Sequence, residues 1–119
     1  MLNRPILIVL LSSASQLYSQ PGDRTLTEEG VKLHDQGKYT EAIAKFNKVL
    51  LSDKQNVHAL AEKAYSQMGL KEYKAAISTC RKALKIKTDD NEALKLIYIT
   101  YGNALDLSGK PNDAIKIYE

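Results

Sequence analysis

A pattern of small and apolar residues recurs every 34 residues along this chain, and that period decides most of what the chain can fold into. Tyr39, Ala42, Ile43, Lys48 and Leu50 return 34 positions later as Tyr73, Ala76, Ile77, Lys82 and Leu84, and Ala59 and Leu60 return as Ala93 and Leu94. A third copy lies 72 residues from the first: Gly30, Leu33, Gly37, Lys38, Ala42 and Ile43 reappear as Gly102, Leu105, Gly109, Lys110, Ala114 and Ile115. That offset is two periods plus four residues, and the extra four fall in the stretch from about 90 to 108. Four residues are close to one helical turn of about 3.6, so the buried face stays nearly in phase. A fixed period of this length marks a solenoid, in which each unit buries its apolar face by stacking on its neighbours.

Within each period the apolar spacing is helical. Leu33, Ala42, Ile43, Phe46, Val49 and Leu50 include i, i+3, i+4 and i+7 relations, as do Val57, Leu60, Ala61, Ala64, Tyr65 and Met68, and again Tyr73, Ala76, Ile77, Cys80, Ala83 and Leu84. Thr25 with Glu28 and Asp89 with Glu92 have capping-box spacing. Gly37, Gly69 and Gly109 stand where helices should stop, and Pro111 suits a first helical turn. These signals predict helices over about 25–36, 39–52, 56–68, 71–87, 90–108 and 111–119.

Period and residues together resemble the tetratricopeptide repeat family. The first unit carries Gly30-x-x-Leu33, Gly37-x-Tyr39, Ala42, Phe46 and Val49-Leu50 at that family's spacing; the third carries Gly102-Asn-Ala104-Leu105, Gly109, Ala114-Ile115 and Tyr118. The second keeps only its second-helix half cleanly. Lys54 and Thr88 stand where the family often has proline, and Met68-Gly69-Leu70-Lys71 moves the turn glycine forward by two. The resemblance implies an all-α, right-handed solenoid of antiparallel helical hairpins, about two and a half to three units long. Its units would be about 25–56, 57–90 and 91–119, the last incomplete.

The same resemblance implies a concave groove, lined by the first helix of each unit, that takes an extended peptide or a partner helix. The groove positions would be Thr27, Val31 and Asp35 in the first unit, His58, Ala61, Glu62 and Tyr65 in the second, and Ile99, Asn103 and Asp106 in the third. One subclass of the family grips C-terminal carboxylates through paired Lys and Asn on its first helices. Thr27 and Val31 occupy the matching sites here, so that clamp is missing. In the helix over about 90–108, Leu94, Ile97, Tyr98, Tyr101 and Leu105 form one apolar stripe, while Leu96, Ile99 and Leu107 sit off it. A helix apolar on two sides is expected to be covered on two sides.

Composition narrows the chemistry. The net charge of +3 comes from 17 basic and 14 acidic residues interspersed along the chain. That is a solvated surface, without the concentrated basic face of a nucleic-acid binder. One cysteine, Cys80, allows no internal disulfide and no cysteine-rich zinc site; it occupies the position that Phe46 fills one repeat earlier and reads as a small buried hydrophobe. No phosphate loop, paired-histidine zinc motif or nucleophile elbow is present, and His34 and His58 lack ligand-like neighbours. Asp89-Asp90 with Glu92 reads as a helix N-terminus favoured by the macrodipole. The expectation is therefore a non-enzymatic chain without cofactor or metal.

The two ends carry further expectations. Arg4, the apolar run Pro5–Leu11 and the small residues Ser12–Ser15 follow the three-part plan of a secretory signal peptide, here over residues 1–20, with cleavage after Ser15 or Ser19. The run is far shorter than the roughly 20 residues that span a bilayer, so no stable membrane span is expected after cleavage. Residues 21–24 read as a flexible lead-in. The chain stops inside the second helix of the third unit, without the polar capping helix that solenoids generally need. Together these features predict an exported, periplasmic or extracellular scaffold that binds a protein or peptide partner. The alternatives are the N-terminal docking module of a larger exported enzyme or envelope protein, and a homodimer formed through the open C-terminal hairpin.

Overall fold

The computed structural model describes residues 21–109; the signal-like segment, the sixth helix from Pro111 and the open C-terminal hairpin lie outside that range. The described residues form five helices and no strand: α1 (Pro21–Asp35), α2 (Tyr39–Ser52), α3 (Val57–Gly69), α4 (Tyr73–Leu84) and α5 (Asn91–Leu107). Each helix packs on the next in the chain, and α3 also packs on α5. The first helices of the hairpins, α1, α3 and α5, thus make one layer and the second helices, α2 and α4, the other. This is the expected solenoid of helical hairpins.

The helix starts have local causes. Pro21 opens α1, where its missing N–H is not needed, and Asp23 lies in the first turn, where the macrodipole favours a negative charge. Residues 21–24 are therefore the first turn of α1 and not a lead-in. Thr25 and Glu28 consequently fall inside the helix and form no capping box. Glu28 instead accepts from Arg24 Nε at 3.2 Å, and the Thr27 hydroxyl donates to the Asp23 carbonyl at 2.8 Å. Asn56 caps α3 by accepting from the Ala59 N–H, and Asp90 caps α5 by accepting from the Ala93 N–H, one residue later than the Asp89 cap that spacing suggested. Helix α4 is shorter than the predicted 71–87 by two residues at its start and three at its end.

The two described hairpin turns share one geometry and differ in chemistry. After α1, Gly37 takes φ +79°; its N–H reaches the His34 carbonyl and the Lys38 N–H reaches back to Leu33, the paired bonds of a Schellman stop. After α3 the same two bonds run from Lys71 to Met68 and from Glu72 to Gln67, but the left-handed residue is Lys71, at φ 62°. Gly69 is the last residue of α3 and serves another purpose: a Cβ there would lie 2.6 Å from the Tyr39 ring. The glycine lets the first hairpin's tyrosine lie against the end of the second.

The core repeats with the chain. Phe46 is fully buried across α1 from Gly30, whose missing side chain leaves room for its ring. One period later the same two positions hold Ala64 and Cys80, both fully buried. Leu60, Ile97 and Leu105 are the next largest fully buried side chains, set among Ala61, Ala76, Ala83, Ala93 and Ala104. Burying each large aliphatic contributes about 1.5–3 kcal/mol, and the alanines allow the helices to approach closely enough for it.

Candidate functional site

The layer made by α1, α3 and α5 carries two open depressions that meet at His58. One, of about 400 Å³, lies between α1 and the start of α3 and is lined by Asp23, Arg24, Thr27, Glu28, Asn56 and His58. The other, of about 430 Å³, lies between α3 and α5 and is lined by His58, Glu62, Glu92, Ala93, Lys95, Leu96 and Ile99. With His58 common to both, the two depressions follow one another along the inner helices as a trough. Ala93, Leu96 and Ile99 of α5 give the lining an apolar part, and its other residues are polar.

Beside the trough the joint between the first two hairpins is built from rings. His34 stacks on Tyr65 with centroids 4.3 Å apart and meets Tyr39 edge-on at 5.0 Å, while its Nδ1 lies 2.9 Å from Ser66 Oγ. Burial lowers the His34 pKa from its usual value, against a smaller upward pull from Asp35. Glu62 is half-buried. Burial raises its pKa, the charge of His58 pulls it down and that of Asp35 pushes it up again. No Lys or Arg among the described residues forms an ion pair with Glu62.

Four of the ten positions expected to face a groove line the two depressions. His58, Glu62 and Ile99 line the trough. Val31 is half-buried, Asp35, Asn103 and Asp106 are exposed, and Tyr65 is 44% exposed. Thr27 edges the trough but is 7% exposed, with its hydroxyl already donated to Asp23. Ala61 is the correction: it is 0% exposed and belongs to the core. Helix α3 is the middle inner helix, with neighbours on both sides, so its free strip is narrower than that of α1. Residue-by-residue transfer missed Arg24, Glu28, Glu92 and Leu96. The last two lie seven and three residues before Ile99, the spacing of one helix face, so extending each strip by a turn would have found them.

Cys80 carries no chemistry. Its thiol is buried, donates to the Ile97 carbonyl at 3.7 Å, and has its pKa pushed up to about 12 by burial. A thiol so far from ionising is no nucleophile at neutral pH. Among the described residues no three His, Cys, Asp or Glu side chains gather to hold a metal, and no helix is long and apolar enough to cross a membrane.

The sequence model of the tetratricopeptide repeat matches residues 33–98, more than half of the chain. The chain belongs to the tetratricopeptide repeat family. The fold is similar to the first tetratricopeptide domain of Spaghetti (RPAP3) bound to the HSP90 peptide SRMEEVD, with a TM-score of 0.74, 29% identity, and coverage of 84% of this chain and 76% of that one. It is similar also to the first such domain of human RPAP3, with a TM-score of 0.72, 30% identity, and coverage of 81% and 72%. In sequence, 71 residues are 34% identical to a 58 kDa phosphoprotein of Plasmodium berghei. They make up 60% of this chain, which spans only 17% of the length of that relative. Within the tetratricopeptide frame, the trough is the face lined by the first helix of each repeat.

Proposed function

We propose that this tetratricopeptide domain is a non-enzymatic scaffold that holds an extended segment of a partner protein in the trough across α1, α3 and α5. The observation that carries the reading is the trough itself. Its side chains, from Glu28 through His58 and Glu62 to Leu96 and Ile99, line open space across three helices rather than filling the core. A surface that mixes apolar and polar side chains and is spread over successive repeats suits a chain lying across the repeats. The similarity to a domain with a bound peptide supports the same reading.

The test is position-specific photocrosslinking. A photoreactive amino acid at Ile99 or Tyr65 should capture partner from a lysate of the source cells, whereas the same group at Lys74 on the outer helix α4 should not. Equal capture from both faces, or capture from Lys74 alone, rules the trough out.

Export is a separable part of the proposal and rests on the three-part pattern of residues 4–15. Fusing residues 1–20 to a phosphatase active only outside the cytoplasm tests it; an inactive fusion of normal abundance removes export and leaves the scaffold reading untouched.

A further inference from the structure

Charges that alternate along the sequence are sorted by the hairpins onto opposite layers. On the outer helices α2 and α4, Lys48, Lys74, Arg81 and Lys82 have Glu41 as the only carboxylate among them, and Lys45 reaches over to Glu29 of α1 at 3.0 Å. Lys82 lies near enough to Lys63 for the two charges to oppose each other. The inner helices carry more carboxylates than cations, with Lys32 and Lys63 as well as Arg24 and Lys95. Asp23, Glu28, Glu62 and Glu92 line the trough against Arg24 and Lys95, and Arg24 is already engaged by Glu28 at 3.2 Å. Asp35 adds its charge beside Glu62, and Asp106 follows Ile99 by seven residues on the same face of α5.

The centre of this surface is a half-buried carboxylate, Glu62, which feels His58 and a second carboxylate, Asp35, and has no Lys or Arg of the described residues paired to it. Such a group gains most from a cation brought by a ligand, because the low local dielectric strengthens the pair and the ligand offsets repulsion already present. Next to it the side chains of Leu96 and Ile99 offer apolar contact, with Ile99 46% exposed. The peptide SRMEEVD, bound by the similar domain, has the opposite character, with three acidic side chains and one Arg. Laid in this trough it would set like charges against each other.

We propose that the occupant of the trough is a cationic segment, an extended stretch whose Lys or Arg reaches Glu62 and Asp35 while a neighbouring apolar side chain lies on Leu96 and Ile99. The inference rests on the reading of the trough as a peptide site and adds the partner's charge.

The test is to pan a random nonapeptide display library on the full 119-residue chain and on three variants, Glu62→Lys, Glu62→Gln and Ile99→Ala, each checked for helical circular dichroism. The expected enriched peptides carry net positive charge and bind Glu62→Lys at least about tenfold more weakly, a change of about 1.4 kcal/mol. Glu62→Gln should give a smaller loss, and added salt should narrow the difference. Peptides that are neutral or acidic yet lose affinity on Ile99→Ala overturn the cationic assignment and leave the trough standing. Peptides indifferent to all three variants, or no enrichment at all, overturn both. If Glu62→Lys does not fold, Glu62→Gln decides: unchanged affinity for the cationic peptides overturns the assignment.

Discussion

His34 of α1 stacks on Tyr65 of α3 with ring centroids 4.3 Å apart and planes 26° from parallel, and this pair joins the first hairpin to the second. The stack makes stability depend on the protonation of one imidazole. Burial holds the His34 pKa below 6.5, so protons bind the unfolded chain more readily than the folded one between the folded value and 6.5. The neutral stack contributes fully above pH 6.5, loses stability as pH falls through 6.5 toward the lower folded value, and changes no further below it. Thermal melts between pH 8 and pH 5 should show this fall, and His34→Gln should flatten it while leaving His58 intact. An unchanged slope in the variant would assign the effect to other groups.

Glu62 predicts the opposite sign. Its folded pKa is raised above 4.5, so stability falls as the pH rises from 4.5 to the folded value and changes no further above it, and the penalty is absent well below 4.5, where both states are protonated. Glu62→Gln should therefore melt higher than the parent at pH 7 and equal to it near pH 4. The same substitution should weaken cationic peptides. A lower melting temperature for the variant at pH 7 would show that the carboxylate is stabilising and overturn this account.

Lys71 is the one non-glycine residue with positive φ among the described residues, at 62°. A side chain in the left-handed region costs roughly 1 kcal/mol relative to glycine. Lys71→Gly should stabilise the domain by about 0.5–1 kcal/mol in urea titration, less the greater entropy of glycine in the unfolded chain. Gly37→Ala, at φ +79° with open space around it, should destabilise by a similar amount, through the backbone alone.

The repeat made much of this fold legible in advance. Helix α2 matches its predicted bounds, and α3 and α5 begin within a residue of theirs, because 34-residue spacing and apolar faces report the same buried stripe. The start of α1 was hidden because Pro21 and Gly22 follow a Ser- and Gln-containing stretch that reads as a loop. Glycine is the usual signal of a left-handed turn and points to Gly69, whereas that glycine serves the close approach of Tyr39 and the chain bends at Lys71. The trough was legible as a register and not as a surface: Ala61 has the right spacing but lies between two neighbouring helices. Charge was the least visible feature. Acidic and basic residues looked interspersed because successive helices alternate between the two layers, so a segregated surface becomes a mixed sequence.

Cys80 should ignore thiol reagents in the folded state. Its pKa of about 12 leaves almost no thiolate at pH 8, and it is fully buried. Reaction with a disulfide reagent should appear only with unfolding, so its rate across a urea series should follow the unfolded population. Rapid labelling of the native protein would mean that α4 and α5 separate locally.

The pair Gly30 and Phe46 offers the sharpest test of how the repeats pack. A Cβ on Gly30 would lie 2.7 Å from Phe46 Cζ and 3.0 Å from Cδ1, so Gly30→Ala overpacks a fully buried ring. Overpacking of this kind costs about 1–3 kcal/mol, and the better helix propensity of alanine returns up to about 1. A net loss of about 1–2 kcal/mol is expected, whereas Gly22→Ala, with nothing within 4 Å, should be neutral or stabilising by about 0.5. The second repeat shows how the clash can be relieved, since it pairs Ala64 with the smaller Cys80 at the same two positions. Phe46→Cys alone should cost about 3–4 kcal/mol by opening a cavity. In the double variant Gly30→Ala/Phe46→Cys the new methyl group meets no ring, so the loss should fall short of the sum by about 1–2 kcal/mol. Strict additivity in urea denaturation would mean that the two residues do not set each other's size.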